Sequence, residues 1–115
     1  MARQGRDLEK IVAALERMLS DKGIEIKSPD YIKGVNSGSL REIDVALRAR
    51  VGSTQILVII EARDRQNTQD VVWIEQLATK RADVLASKVI AVSSFGFSEG
   101  ARNAAARLGI ELRTV

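Results

Sequence analysis

The sequence contains no cysteine and no histidine, and its 115 residues include one proline and few aromatic side chains. The lack of cysteine excludes a disulfide framework and fits a reducing compartment. Without either residue type, a metal ion could be held only by oxygen ligands, which suits Mg²⁺ or Mn²⁺ better than Zn²⁺. The aromatic residues Tyr31, Trp73, Phe95 and Phe97 are too scattered for the stacking surface of a single-strand-binding protein.

Long apolar runs are also missing. No stretch reaches the roughly 18 apolar residues of a membrane-spanning helix, and residues 1–10 lack the apolar centre of a signal peptide. We therefore expect a cytoplasmic protein with no membrane partner. A content of 45% hydrophobic and 29% charged residues is typical of soluble globular proteins, and a chain of this length is expected to form a single domain, residues 1–115.

The charge balance is mildly basic. The net charge is +3, the isoelectric point is near 9.6, and arginine supplies 12 of the 18 cationic side chains. Because the arginine fork makes paired hydrogen bonds to phosphate, this composition favours a polyanionic partner such as DNA. A charge of this size is also compatible with an ordinary soluble surface.

Residues 41–65 carry the strongest pattern in the chain. Between Arg41 and Arg50 polar and apolar residues alternate, which is the period of a half-buried strand. Residues 55–60 are nearly all aliphatic, as is typical of a strand buried on both faces. Gly52-Ser53 suits the two-residue turn of a hairpin between them. With that turn, residues whose numbers sum to 105 lie opposite each other.

This register predicts a cluster of charged side chains. Asp44 lies opposite Glu61, and Glu42 lies opposite Arg63, which shares a face with Glu61. Side chains directly opposite have Cβ atoms only about 5 Å apart, so two carboxylates there repel each other unless a cation lies between them. A divalent metal ion bound by Asp44 and Glu61 would remove this repulsion.

The other elements follow from hydrophobic periodicity and capping residues. Asp7, Asp70 and Ser98 are the predicted helix caps, and Gly23 and Gly109 the stops. The predicted buried residues are Leu8, Ile11, Val12, Leu15, Met18 and Leu19 in the first helix, Val71, Ile74, Ala78, Ala82 and Leu85 in the second, and Ala101, Ala104, Ala105 and Leu108 in the third. The predicted order begins with a helix over 7–22, a strand over 24–27, a loop over 28–39 and the hairpin. A polar connection over 64–69 and a helix over 70–86 follow, and then a strand over 88–93 that runs parallel to the second strand of the hairpin. The last predicted elements are a helix over 98–109 and an edge strand over 110–113.

Four further positions need an interpretation. Asp30 follows Pro29 within the predicted loop, far from the hairpin, and is interpreted as a turn residue. Trp73 is interpreted as a core or dimer-contact residue. Glu9 and Glu16 lie on one line of the first helix, so that either could face the acidic cluster or a solvated flank.

Asp44, the sequence Glu61-Ala62-Arg63 at the end of an apolar strand, and a following helix with Gln76 resemble the PD-(D/E)xK nuclease superfamily, whose members have the restriction-endonuclease-like fold. The later stretch KVIAVSSFGFSEGARNAAARLGIEL is similar to the branch formed by Mrr-type restriction endonucleases and archaeal Holliday-junction resolvases. The resemblance covers residues 8–112. It implies an α/β fold with an αβββαβ core, a mixed central sheet flanked by helices, and an added C-terminal helix and strand.

The resemblance also implies functional roles. Asp44, Glu61, the carbonyl of Ala62 and Glu9 would bind Mg²⁺ or Mn²⁺, with no other small-molecule cofactor. Arg63 would bind the scissile phosphate and Gln76 would orient water or phosphate. Arg41, Arg63, Arg65 and Lys80 are the candidate DNA-binding residues. Related nucleases have lysine at the position of Arg63, and Lys80 is a candidate source of the missing amine.

Three hypotheses follow from these features. The first is a metal-dependent endonuclease that hydrolyses DNA as a homodimer, because cutting both strands takes two active sites. The second is a DNA-binding module on the same fold with weak or no cleavage, because Arg63 replaces lysine. The third is a structural cluster of surface ion pairs, which contribute only about 0 to 1 kcal/mol each.

Overall fold

The computed structural model describes residues 6–19 and 23–115. None of the helices in these ranges has the length and apolar character needed to cross a membrane. The elements, in chain order, are α1 (Arg6–Leu19), β1 (Glu25–Lys27), β2 (Asp30–Lys33), β3 (Leu40–Ile43), β4 (Val45–Val51), β5 (Thr54–Arg63), α2 (Val71–Val84), β6 (Lys88–Ser93), α3 (Glu99–Leu108) and β7 (Glu111–Thr114).

Five strands form a mixed sheet in the order β1-β4-β5-β6-β7. The first three are antiparallel neighbours, whereas β5, β6 and β7 run parallel. The parallel pairs are joined through α2 and α3, as expected for crossover connections. The predicted mixed sheet and the edge position of the last strand are confirmed.

The two faces of the sheet are covered by different helices. On one face, Leu8, Val12 and Ala13 of α1 pack against strand residues such as Val45 and Ile60. On the other face, α2 and α3 enclose a second cluster that includes these largest members: Ile43, Ile59, Trp73, Ile74, Leu77, Val89 and Phe97. Burial of apolar surface on both faces explains why β5 and β6 are almost continuously aliphatic.

The β4–β5 hairpin has the predicted register. Val51 pairs with Thr54 across the Gly52-Ser53 turn, and the ladder continues to Val45 opposite Ile60. Gly52 has φ +62°, a conformation that glycine adopts at no steric cost. Register was predictable because a two-residue turn leaves only one way for the strands to pair.

The segment predicted to be a loop, residues 28–39, is only partly a loop. Residues 30–33 form β2, which pairs with β3 as a separate two-stranded ribbon. The strand predicted over 41–50 is accordingly interrupted at Asp44. Glu42 lies opposite Tyr31 and not Arg63, because β3 leaves the main sheet and takes β2 as its partner. These are corrections to the predicted order.

Asp30 is not a turn residue. It begins β2, is 4% exposed, and its Oδ2 lies 2.6 Å from Nη1 of Arg48 on β4. The pKa of Asp30 is lowered because its hydrogen bonds and the neighbouring cations outweigh the effect of its burial. The ion pair joins the ribbon to the main sheet.

The buried faces of α1 and α2 differ from the predicted stripes. In α1, Asp7 lies inside the helix, and Ile11 and Leu15 are exposed. The predicted residues 20–22 and the side chains of Met18 and Leu19 lie outside what the structure describes. In α2, the buried residues are Trp73, Ile74, Leu77, Asp83 and Val84. Both sequences offer several apolar series at helical spacing, and the largest side chains of α2 determine which series is buried.

The remaining caps and the third helix follow the predictions. Asp70 accepts a hydrogen bond from the Val72 amide, and Ser98 accepts one from the Ala101 amide. Ala101, Ala104 and Ala105 of α3 are buried, and Gly109 ends that helix with φ +70°.

Paired alanine substitutions in α1 test its orientation. Leu8 is 5% exposed and Ile11 is 51% exposed, although both belong to the predicted apolar stripe. We expect Leu8→Ala to lower the free energy of unfolding by about 2 kcal/mol or more, and Ile11→Ala by less than about 1 kcal/mol. Chemical denaturation measures both. Equal losses would contradict the observed orientation.

Candidate active site

Asp44 and Glu61 meet at the point where the β4–β5 ladder ends. The Asp44 amide donates to Oε2 of Glu61 at 2.8 Å, and the Ala62 amide donates to Oδ2 of Asp44 at 2.9 Å. The two carboxylates thus accept backbone amides at the point where the backbone pairing of β4 and β5 stops. The exchange buries both acids, at 8% and 5% exposure, without leaving these amides unpaired.

A cavity of about 620 Å³ opens at this break in the ladder. It is walled by α1 on one side, by α2 on the other, and by the ends of β3 and β5. All the predicted site residues line it, namely Glu9, Arg41, Asp44, Glu61, Ala62, Arg63, Arg65, Gln76 and Lys80. Glu42, which belongs to the predicted charged cluster, lines it as well, together with Asp64, Trp73 and Leu77.

Lys80 reaches Glu61 from α2. Its ammonium contacts Oε1 of Glu61, and its side chain is 16% exposed. Burial and the charge of Asp44 nevertheless raise the pKa of Glu61 to about 7, because these effects outweigh the opposing influence of Lys80. The acidic pair is therefore under electrostatic strain that an additional cation would relieve.

Arg63 is held beside this pair by two side chains that precede or begin α2. Its Nη1 donates to Oε1 of Gln69 at 3.0 Å, and its guanidinium lies 4.7 Å from the centroid of the Trp73 ring. Trp73 is buried and stacks on Phe97 at a centroid distance of 6.2 Å, in agreement with the predicted core position. The pKa of Arg63 is lowered by burial and by Arg65, and the group stays cationic.

Gln69 is a supporting residue that the sequence did not reveal. It is 4% exposed and sits in the segment predicted as a polar connection. The backbone amide of Gln69 donates to the Gly96 carbonyl, and its backbone carbonyl accepts from the Ser98 amide. These bonds fix the connection to the loop before α3. The only sequence signal was a glutamine just before a helix cap, which is too common to be informative.

The remaining predicted site residues lie at the rim. Arg65 is exposed, and Gln76 is exposed on α2. Arg41 is half-buried, and its Nη1 donates at 2.8 Å to Oδ2 of Asp83. Asp83 of α2 is 2% exposed, and it is the partner that orients Arg41.

The donor set fits a hard divalent cation. Mg²⁺ is usually bound by one or two carboxylates, and water and substrate phosphate complete its coordination. The Arg63 carbonyl accepts from the Ser94 amide on the β6 side, so the Ala62 carbonyl faces the opposite side, toward Asp44. Asp44, Glu61 and the Ala62 carbonyl could therefore hold the ion.

Glu9 is the predicted metal ligand that α1 carries, and this role stays a prediction. It is 2% exposed and lines the cavity from α1, whereas Glu16 is engaged by Arg113 at 3.3 Å. Within residues 6–19 and 23–115, no three acidic side chains are gathered closely enough to hold a metal ion by themselves. Glu9 thus borders the Asp44–Glu61 pair without joining it in a three-carboxylate group.

A five-stranded mixed sheet covered by helices on both faces matches the restriction-endonuclease-like fold. The chain belongs to the Mrr-type restriction endonuclease family, since residues 2–114 match the model of its catalytic domain, described as restriction endonuclease. A search of curated proteins gave no significant match.

Solved structures share this fold. A protein of unknown function, AF1548, is 23% identical with a TM-score of 0.72, covering 91% of this chain and 56% of that one. The DNA modification-dependent restriction endonuclease AspBHI is 17% identical with a TM-score of 0.62, covering 95% and 28%. MspJI restriction endonuclease in complex with a 27-mer oligonucleotide is 19% identical with a TM-score of 0.54, covering 93% and 24%. The chain thus spans about a quarter to just over half of these proteins.

The strain in the acidic pair predicts a pH dependence of stability. The folded-state pKa of Glu61, about 7, exceeds its ordinary value of 4.5, so the folded protein retains a proton that the unfolded chain has released between these values. In EDTA, stability should therefore fall as the pH rises from about 5 to 7.5, by on the order of 2 to 3 kcal/mol from this group.

Glu61→Gln removes this dependence and is the matched comparison. We expect its free energy of unfolding, measured by urea denaturation, to exceed that of the unaltered protein at pH 8 and to differ less at pH 4.5. Parallel stability curves for the two proteins across this range would contradict the assignment.

Proposed function

We propose that this chain is the catalytic domain of an endonuclease that hydrolyses DNA phosphodiester bonds with Mg²⁺ or Mn²⁺. The observation that carries the proposal is the buried Asp44–Glu61 pair facing a cavity that also contains Lys80 and Arg63. Family membership and the oligonucleotide bound to MspJI support DNA as the substrate. A divalent ion at this site would supply a better water nucleophile and offset charge on the attacked phosphate.

The acids have defined tasks in this proposal. Asp44 and Glu61 each hold one backbone amide of the facing strand, and this fixes their carboxylates before any ligand arrives. Because a carboxylate oxygen has two lone pairs, an oxygen that accepts one hydrogen bond can also face a cation. The Ala62 carbonyl completes this set of oxygen donors.

Lys80 supplies the amine that is absent at position 63, where related nucleases have lysine. Its ammonium has three N–H donors, and Glu61 engages it at one carboxylate oxygen. The ammonium is thereby held at the cavity wall, where its other donors can orient the attacking water or a phosphate oxygen. A positioned cation of this kind stabilises charge that develops in the transition state.

Arg63 binds the scissile phosphate in this proposal. The Gln69 bond and the Trp73 ring restrict the guanidinium to one orientation, so little side-chain entropy remains to be lost on binding. Arg63 does not act as a base, because guanidinium keeps its proton in proteins. Gln76 and Arg65 lie at the cavity rim, where they can contact neighbouring parts of the strand.

The oligomeric state is part of the same proposal. One chain offers one such cavity in its described residues, whereas cutting both strands of a duplex takes two sites. A twofold homodimer would supply them. The alternative hypothesis, a DNA-binding module without cleavage, predicts the same surface but no metal-dependent product.

Substitution of the acids tests the proposed chemistry. We expect Asp44→Asn and Glu61→Gln to lower metal-dependent cleavage of plasmid, flap or junction DNA at least a hundredfold or so, while the proteins stay folded. Cleavage is followed on gels with Mg²⁺, Mn²⁺ or EDTA. Glu25→Gln, which removes an exposed acid on β1, is the matched control and should retain activity.

The outcome separates the two hypotheses. Full activity in either acid variant would overturn the assignment of the site. Absence of products from the unaltered protein with both metals, together with retained DNA binding, would establish the binding module instead.

Lys80 is tested separately from Arg63. We expect Lys80→Met to lower the cleavage rate by about a hundredfold or more, because no other ammonium lies against Glu61 in the described residues. Lys88→Met, at a half-exposed lysine paired with Glu111, should leave the rate unchanged. Rates are compared at saturating DNA, with melting temperatures as a check on folding. An unchanged rate in Lys80→Met would show that the amine has no part in the chemistry.

A further inference from the structure

The turn between β2 and β3 is held by hydrogen bonds to one buried carboxylate, that of Asp83. Its Oδ1 accepts from the amides of Asn36 and Ser37 at 2.7 and 2.9 Å, and its Oδ2 accepts from the Ser37 hydroxyl at 2.6 Å. The Val35 amide donates to the Asp83 backbone carbonyl at 2.8 Å. These hydrogen bonds hold the pKa of Asp83 well below its usual range.

Arg41 completes this arrangement and is constrained by it. Its Nη1 lies 2.8 Å from Oδ2 of Asp83, the oxygen that also binds Ser37. The turn approaches this oxygen so closely that a Cβ at Gly34 would lie 2.0 Å from it. A larger residue at position 34 would therefore have to displace the Asp83 carboxylate and the Ser37 hydroxyl. Since arginine has five N–H donors, the contact leaves donors of the guanidinium for another ligand.

The position of Arg41 connects two cavities. One is the 620 Å³ cavity of the Asp44–Glu61 pair, and the other is a shallow cavity of about 300 Å³ beside it. Arg41 and Gln76 line both. The second cavity is completed by exposed residues of α2, namely Val72, Glu75 and Thr79. An apolar side chain among hydrogen-bonding groups is suited to a sugar and base.

We propose that Asp83 is a positioning residue for the substrate strand: it fixes Arg41 so that the guanidinium binds the phosphate next to the cleaved bond, with the adjoining nucleoside in the 300 Å³ cavity. This inference rests on the proposed nuclease function. Asp83 holds the turn through the hydrogen bonds that it accepts from Asn36 and Ser37. Asp83 also contacts Arg41, which lines both cavities, and this contact indicates a role beyond stabilising the turn.

Removal of the Asp83 charge distinguishes positioning from simple attraction. Asp83→Asn adds one positive charge to the protein but keeps an oxygen that can accept from the Asn36 and Ser37 amides. If charge alone attracted DNA, affinity would rise. We expect affinity for a duplex oligonucleotide in EDTA to fall about threefold to tenfold, and the slope of log affinity against log salt to decrease by about one phosphate contact.

Two control variants and two variants of Arg41 complete the comparison. Glu25→Gln adds the same charge on exposed β1 and should raise affinity slightly or leave it unchanged. Ser37→Ala removes the hydroxyl bond to Asp83 but not the Arg41 contact, and should bind like the unaltered protein. Arg41→Ala should match Asp83→Asn, and the double variant Asp83→Asn/Arg41→Ala should be no weaker than either, because the two residues act as one unit.

Cleavage kinetics give an independent readout. If Asp83 positions the strand, Asp83→Asn should raise KM for DNA several-fold with little change in kcat, whereas general destabilisation would lower both the active fraction and the melting temperature. Arg41→Lys keeps the charge without the fork and should also weaken binding, which tests the geometry even if Asp83→Asn does not fold.

The contrary outcomes are distinct. Equal or higher affinity of Asp83→Asn, additive losses in the double variant, or full affinity of Arg41→Lys would overturn the inference while leaving the proposed nuclease intact. Failure of the unaltered protein to bind or cut DNA would overturn the proposed function, and this inference with it.

Discussion

The exchange of hydrogen bonds between Asp44 and Glu61 is the interaction on which the site depends. The Glu61 carboxylate accepts a hydrogen bond from the Asp44 amide, and the Asp44 carboxylate accepts one from the Ala62 amide. These side-chain hydrogen bonds link the two segments where backbone pairing stops. The same interruption lets β3 leave the sheet, which opens the cavity between the strands. Burial and the charge of Asp44 raise the pKa of Glu61, and a cation bound beside the two carboxylates would stabilise the folded protein. Lys80 is one such cation.

The sequence was sufficient for the hairpin and its acids because the signals there are local. Gly52-Ser53 fixes the register within two residues, and the register alone brings Asp44 to Glu61. The separation of β2 and β3 was not predictable in the same way. Pairing of Asp30 with Ile43 depends on a ribbon that has no tight-turn signature, and its turn is held by Asp83, which is 47 residues from Asn36 in the chain.

The helices show a second limit of sequence patterns. α1 and α2 contain more apolar residues than one face can hold, so spacing permits more than one orientation. Burial of Trp73 and Leu77, and contact of Lys80 with Glu61, follow from how α2 lies across the sheet. The roles of Gln69 and Asp83 likewise arise from contacts between distant segments, because single polar residues near helices carry no local signal of burial.

A crystal structure of the protein soaked with Mn²⁺ would test the central claim most directly. We expect an anomalous difference peak between the carboxylates of Asp44 and Glu61, about 2.0 to 2.6 Å from their oxygen atoms and close to the Ala62 carbonyl. The Lys80 ammonium should remain in the cavity while Glu61 shares its oxygens with the ion. Absence of a peak at saturating Mn²⁺, with Lys80 still bound to Glu61 as the only cation at the pair, would contradict the account.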